Sequence, residues 1–179
     1  PNDSSWNVNG AGYDVSHKYG FGAIDAGAAV NLALNWTNID DEMNSTYGPY
    51  IEDQPIPNNN DSWTQFQMTM PIEMQLESVD LMVDIDHNSR GDLDIVLVSP
   101  DGTESWLAEE HNDNGNDYSN WLFNTVHHWG ESSLGIWTLK IRDSVGGNSG
   151  TVNSWEIIFH GIDGDFDHDD DGLSDENET

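Results

Sequence analysis

A two-residue period running through the middle of the chain constrains its fold more than any other feature. In Val79-Asp80-Leu81-Met82-Val83-Asp84-Ile85-Asp86 every odd position is apolar and three of the four even positions are Asp. Successive side chains of an extended strand point to opposite faces, so this segment buries one face and leaves the other in water. Trp137-Thr138-Leu139-Lys140-Ile141-Arg142 alternates in the same way, and Trp155-Glu156-Ile157-Ile158-Phe159-His160 nearly so. Leu93-Asp94-Ile95-Val96-Leu97-Val98 is more continuously apolar, as expected of a central strand. Turn-forming clusters separate these runs: Ser89-Arg90-Gly91-Asp92, Ser99-Pro100-Asp101-Gly102, Asn112 to Asn116, and Gly146 to Gly150. Seven or eight short strands without a helix signal between them predict an all-β sandwich over residues 63–162.

The flanking segments have different textures. Residues 1–39 hold one helix signal, with Asp25 as N-cap before Ala26, Ala28, Ala29, Val30, Leu32, Ala33 and Leu34. Residues 40–62, with Gly48-Pro49, Pro55, Pro57 and Asn58-Asn59-Asn60, read as a linker. Residues 163–179 form an acidic tail. The eight tryptophans suit a compact aromatic core, with Trp121, Trp137 and Trp155 on the apolar phase of their strands. Trp63 and Trp106 lack such a phase, and as an exposed pair they could meet carbohydrate or a polymeric substrate.

Charge excludes whole classes of partner. Thirty-four acidic residues stand against four basic ones, for a formal net charge of −30. Phosphate backbones need clustered Lys and Arg, so nucleic acid is excluded as a partner, and anionic membranes are disfavoured for the same reason. No apolar run reaches the length of a membrane span, and there is no cysteine to form a disulfide. The chain opens on Pro1-Asn2-Asp3 without a leader, as expected of a piece of a longer precursor.

Some of the carboxylates have the spacing of cation ligands. In the tail, Asp167, Asp169 and Asp171 take positions 1, 3 and 5 of a twelve-residue calcium loop, followed by Gly172 at the turn. Leu173 offers a backbone carbonyl, Asp175 takes position 9 and Glu178 position 12. Asp163 and Asp165 continue the spacing upstream, and the tail resembles the aspartate-rich calcium repeats of thrombospondin type 3. Within the sandwich, Asp84 with Asp86 and Asp92 with Asp94 share strand faces. Were those faces adjacent, four carboxylates would meet and need a cation among them. The loop 109–117 adds Asp113, Asn116 and Asp117. Hard oxygen ligands without cysteine favour Ca2+ over zinc.

Six pieces carry a resemblance. They are Val83-Asp84-Ile85-Asp86-His87, Arg90-Gly91-Asp92-Leu93, Leu97-Val98-Ser99-Pro100-Asp101-Gly102-Thr103, Trp129-Gly130-Glu131, Gly135-Ile136-Trp137-Thr138-Leu139 and Asn153-Ser154-Trp155. In this order and spacing they resemble the P domain, also called Homo B, of kexin- and furin-like subtilisin-family serine proteases. The resemblance implies an eight-stranded jelly roll that packs against a subtilisin-like catalytic domain, supports its folding and is secreted or displayed outside the cell. His17-Lys18-Tyr19-Gly20-Phe21-Gly22-Ala23-Ile24-Asp25-Ala26 is similar to the last helix entry of such a catalytic domain, which makes residues 1–39 its C-terminal remnant. The family's Asp, His and Ser triad would precede this point, and no nucleophile turn is present here. His127 or His128 with Ser132 and Asp143 can be drawn as a Ser-His-Asp set, but nothing in the sequence places them within hydrogen-bond reach. The rival reading is a calcium-dependent adhesion module that holds a polymeric or cell-surface substrate.

Overall fold

The computed structural model describes residues 4–58 and 62–164. Ten strands and one α-helix occur among them: β1 (Trp6–Val8), β2 (Asp14–Ser16), α1 (Ala26–Ala33), β3 (Met43–Ile56), β4 (Thr64–Met70), β5 (Met74–Asp86), β6 (Leu93–Val98), β7 (Glu104–Ala108), β8 (Tyr118–Thr125), β9 (Gly135–Asp143) and β10 (Gly150–Asp163). The eight strands β3 to β10 form two four-stranded antiparallel sheets ordered β3-β10-β5-β8 and β4-β9-β6-β7. Successive strands switch sheets at every step but one, the β6–β7 hairpin, which is the connectivity of a jelly roll.

The alternation determines which faces meet. Val79, Leu81, Val83 and Ile85 of β5 point inward with Val152, Trp155, Ile157 and Phe159 of β10. They meet Leu93, Ile95 and Leu97 of β6 and Trp137, Leu139 and Ile141 of β9 from the second sheet. Trp137 lies 5.0 Å from Phe159 between ring centroids, and its indole N–H donates to the Ser133 carbonyl at 2.8 Å. A buried tryptophan thus keeps its polar atom satisfied while it fills the centre. β6 lies inside its sheet, between β9 and β7, and its first five residues are buried, as its apolar run requires.

Three expectations need correction. Residues 40–62 are not simply a linker, because Met43–Ile56 is a fourteen-residue edge strand paired along β10. An edge strand pairs on one side, so Pro49 and Pro55 lose no ladder bond that the sheet needs. Trp121 is 41% exposed rather than part of the core, because β8 is an edge strand and among the described residues no strand pairs with its far side. Trp63 and Trp106 meet edge to face at 5.9 Å, and Lys140 and Arg142 lie over the Trp63 ring, so the pair offers no open platform.

The helix begins where its cap predicts, with Asp25 Oδ1 accepting from the Ala28 amide at 2.9 Å. None of its residues is buried. Trp137→Ala is expected to destabilise the chain by about 4 kcal/mol through loss of aromatic area and the cavity left behind. Ile136→Ala, on the outer side of the same strand and 53% exposed, should stay within about 0.5 kcal/mol of the parent. Urea unfolding of both variants checks the assignment of faces.

Candidate docking interface

Among the described residues, the carboxylates that the sequence groups as metal ligands form no shared cluster. β5 and β6 belong to different sheets, so Asp84 and Asp86 share no sheet face with Asp94, and Asp92 lies in the 3-10 turn before β6. Asp94 is already engaged: Oδ2 accepts from Arg142 Nε at 2.8 Å and Oδ1 from the Glu110 amide at 2.8 Å. Asp92 accepts from the Ser89 hydroxyl at 3.0 Å. In the 109–117 loop, Asp113 holds Arg90 Nε at 2.8 Å and the Gly115 amide, and Asp117 accepts from the His87 amide. Asn116 is exposed, and so is Asp163 at the end of β10. Among the described residues no group of three His, Asp or Glu side chains could hold a metal ion. Asp165, Asp167, Asp169, Asp171, Leu173, Asp175 and Glu178 lie outside the described residues.

The Ser-His-Asp set is also separated. Asp143 pairs with His87 at 3.4 Å, both buried; Ser132 donates to Glu73; and His128 pairs with Glu131 at 3.3 Å. These partners occupy three different places, so no proton relay joins them.

One buried site does gather polar groups from distant parts of the chain. Glu131 is 1% exposed and His128 is fully buried, and the side chain of Glu131 lies over the β6–β7 turn. Its Oε1 accepts from the Thr103 hydroxyl and, at 2.7 Å, from the backbone amide of Gly10, a residue 121 positions upstream. Beside it Asn9, itself buried, donates through Nδ2 to the carbonyls of His127 at 3.1 Å and Trp129 at 2.9 Å. The β1–β2 hairpin is thereby fastened to the sandwich through backbone groups that any other register would leave unpaired. Gly10 has to be glycine: a Cβ there would fall 2.3 Å from Asp101 Oδ2. Gly130 adopts φ +80°, and a Cβ on it would press on the Tyr13 ring at 2.7 Å.

Aromatic contacts close the rim of this site. His17 stacks on His127 with ring centroids 4.0 Å apart, and Phe21 meets Trp129 edge to face at 5.2 Å. Burial, with the neighbouring His17 and His128, lowers the pKa of His127 to about 4. Burial likewise lowers that of His17, against the pull of Glu109. For Glu131 burial opposes ionisation, but hydrogen bonds from His128, Thr103 and Ser99 outweigh it and hold the carboxyl below its usual range. Asp101 moves the other way, raised by burial and by the Glu131 charge. The Trp129-Gly130-Glu131 triplet was visible in the sequence. That its carboxylate receives Gly10 was not, because no local pattern reports a contact across 121 residues.

Comparison with known proteins identifies the fold. Residues 76–159 match the family model described as proprotein convertase P-domain. The sandwich is a proprotein convertase P-domain. The chain is 35% identical over 166 residues to furin of Bos taurus, covering 89% of this chain and 21% of that protein. It is 38% identical over 171 residues to proprotein convertase subtilisin/kexin type 6 of Homo sapiens, covering 88% and 18% respectively. It therefore spans about a fifth of the length of these curated relatives. The crystal structure of a serine protease of Aeromonas sobria shares the fold at a TM-score of 0.77 and 24% identity, over 87% of this chain and 33% of that one. In this P-domain the matched span includes Glu131 and His128, whereas the hairpin that they receive lies upstream of it.

Two outcomes are expected at the junction. Glu131→Ala removes the shorter of the two bonds of the Gly10 amide, leaving it the Thr103 hydroxyl at 3.1 Å, and takes the carboxylate from beside His128; it should cost about 3 kcal/mol, whereas Glu131→Gln keeps the acceptor and costs less. The depressed pKa values of His17 and His127 make the neutral rings the docked form. Docking should be complete above about pH 6.5, weaken as pH falls towards 4, and change no further from this source below that. His127→Phe should flatten that decline, read as hairpin protection from hydrogen exchange between pH 7.5 and 4.5.

Proposed function

We propose that this chain is the C-terminal P-domain region of a secreted subtilisin-like, kexin-like serine endopeptidase. Its contribution is conformational: the sandwich docks on the catalytic domain of the same precursor, stiffens it and supports its folding, and the chain cleaves no peptide of its own. The observation that carries this reading is the contrast within residues 4–39. The hairpin is fastened into the Glu131 site, while the helix that follows it buries nothing. Ile24 is 90% exposed and Leu34 77%, with Val30, Leu32, Trp36 and Ile39 also in water. So contiguous an apolar stretch marks a surface that a partner covers. A subtilisin-like catalytic domain fits because the segment 17–26 is similar to the end of one, and the relatives are proteases several times longer than this chain.

Calcium belongs to the same proposal at the tail, where the spacing of Asp167, Asp169, Asp171, Leu173, Asp175 and Glu178 supports it. Titration calorimetry should register a calcium-specific binding heat that Glu178→Gln abolishes. Equal heats from calcium and magnesium, unchanged in that variant, would count against it.

The docking reading is tested in the full-length precursor with Val30→Asp and Leu34→Asp together. The yield of active protease should fall several-fold, while the same pair leaves the unfolding midpoint of the 179-residue chain unchanged. An unaltered yield would reject the helix as the covered surface.

A further inference from the structure

β7 and β8 are the edge strands at the same margin of the two sheets, and the 109–117 loop joins them. Between them the sandwich opens into a groove of about 430 Å³, within the range of ligand sites. One wall is the inward-facing row of β8. Tyr118, Trp121 and Phe123 stand opposite Ile85, Val83 and Leu81 of β5, with ring centroids 5.5 to 6.3 Å apart. Among the described residues no strand lies beyond β8, and Trp121 in the middle of this row is 41% exposed although its register points it inward, while Tyr118 is buried.

The groove already holds one guanidinium. Arg90 lies over the Trp121 ring, 5.0 Å from its centroid, and donates Nε to Asp113 at 2.8 Å. An aromatic face and a carboxylate together are the environment that a guanidinium favours. Arg90 is the one Lys or Arg among the lining residues, and Asp113 neutralises it. Glu109 and Glu110 also line the groove, so its rim retains two carboxylates without a cation of their own in the lining. The surrounding chain carries a formal charge of −30, which draws cations towards such a cleft and repels anions.

We propose that this groove binds an extended basic peptide. A Lys or Arg side chain of the peptide lays its stem along the open part of Trp121 and directs its charged head to Glu109 and Glu110. A neighbouring apolar side chain packs against Phe123 and Leu107. None of the residues that hold Asn9 and Gly10 lines the groove, although Glu109 lies near enough to His17 to act on it.

The test uses the 179-residue chain and a fluorescein-labelled, capped peptide of alternating arginine and leucine, followed by anisotropy, with the glutamate–leucine peptide alongside. The basic peptide is expected to bind, and more weakly as sodium chloride is raised. Trp121→Ala should weaken it about tenfold and Glu110→Gln about threefold. Because Trp121→Ala removes a large side chain, Trp121→Phe is measured too, with the unfolding midpoint of both variants; a smaller loss in a fully folded Trp121→Phe chain supports the site. Absence of binding, or equal binding of the glutamate peptide, overturns the proposal. So does a loss in Glu156→Gln, on the outer face of the first sheet, as large as that in Glu110→Gln, since that would be attraction to the whole anionic surface. Backbone shifts at residues 107–123 with cellohexaose but not with the basic peptide would assign the groove to carbohydrate instead.

Discussion

A buried carboxylate stands at the centre of the junction between the two parts of this molecule. Glu131 is almost without solvent contact, and an ion so placed is tolerated only when its oxygens are filled by donors. Thr103 from the turn after β6 and Gly10 from the N-terminal segment donate to Oε1, while Oε2 faces the His128 ring at 3.3 Å. Removing any one leaves the charge worse compensated, so the β6–β7 turn, the 126–134 loop and the β1–β2 hairpin depend on one another. The hairpin is two three-residue strands, too small to be stable alone, so it relies on this carboxylate together with the Asn9 bonds and the His17 and Phe21 ring contacts.

The charge balance of the chain follows the same logic on a larger scale. Among the described residues Asp94, Glu131 and Asp143 are the buried acids, and three of the four basic residues are placed where acids are partly buried or crowded. Arg142 neutralises Asp94 at 6% side-chain exposure, Lys140 meets Glu104, and Arg90 meets Asp113. Arg142 and Lys140 also cover Trp63, so the few cations contribute packing area as well as charge.

What the sequence made legible was governed by local periodicity. The alternation in β5 and β9, the apolar run of β6 and the Asp25 cap each report their own environment within a few residues, and each is found as expected. β3 was hidden because Gly48-Pro49 and Pro55 carry a loop composition that an edge strand tolerates. The proposed meeting of Asp84 and Asp86 with Asp92 and Asp94 failed because consecutive strands of a jelly roll usually lie in opposite sheets, a property of topology that no strand's own sequence encodes. Trp121 has the phase of a core residue and the position of an edge, and only the second determines its exposure. The Glu131 site was half visible, as a Trp-Gly-Glu triplet without its partner.

Coupling of the hairpin to the sandwich through Glu131 is the central claim, and amide hydrogen exchange at Gly10 in the 179-residue chain tests it most directly. Slow exchange at Gly10 is predicted in the parent chain, lost in Glu131→Ala while the amides of β5 and β10 keep their protection. Fast exchange at Gly10 in the parent chain, or unchanged protection in Glu131→Ala, would contradict it.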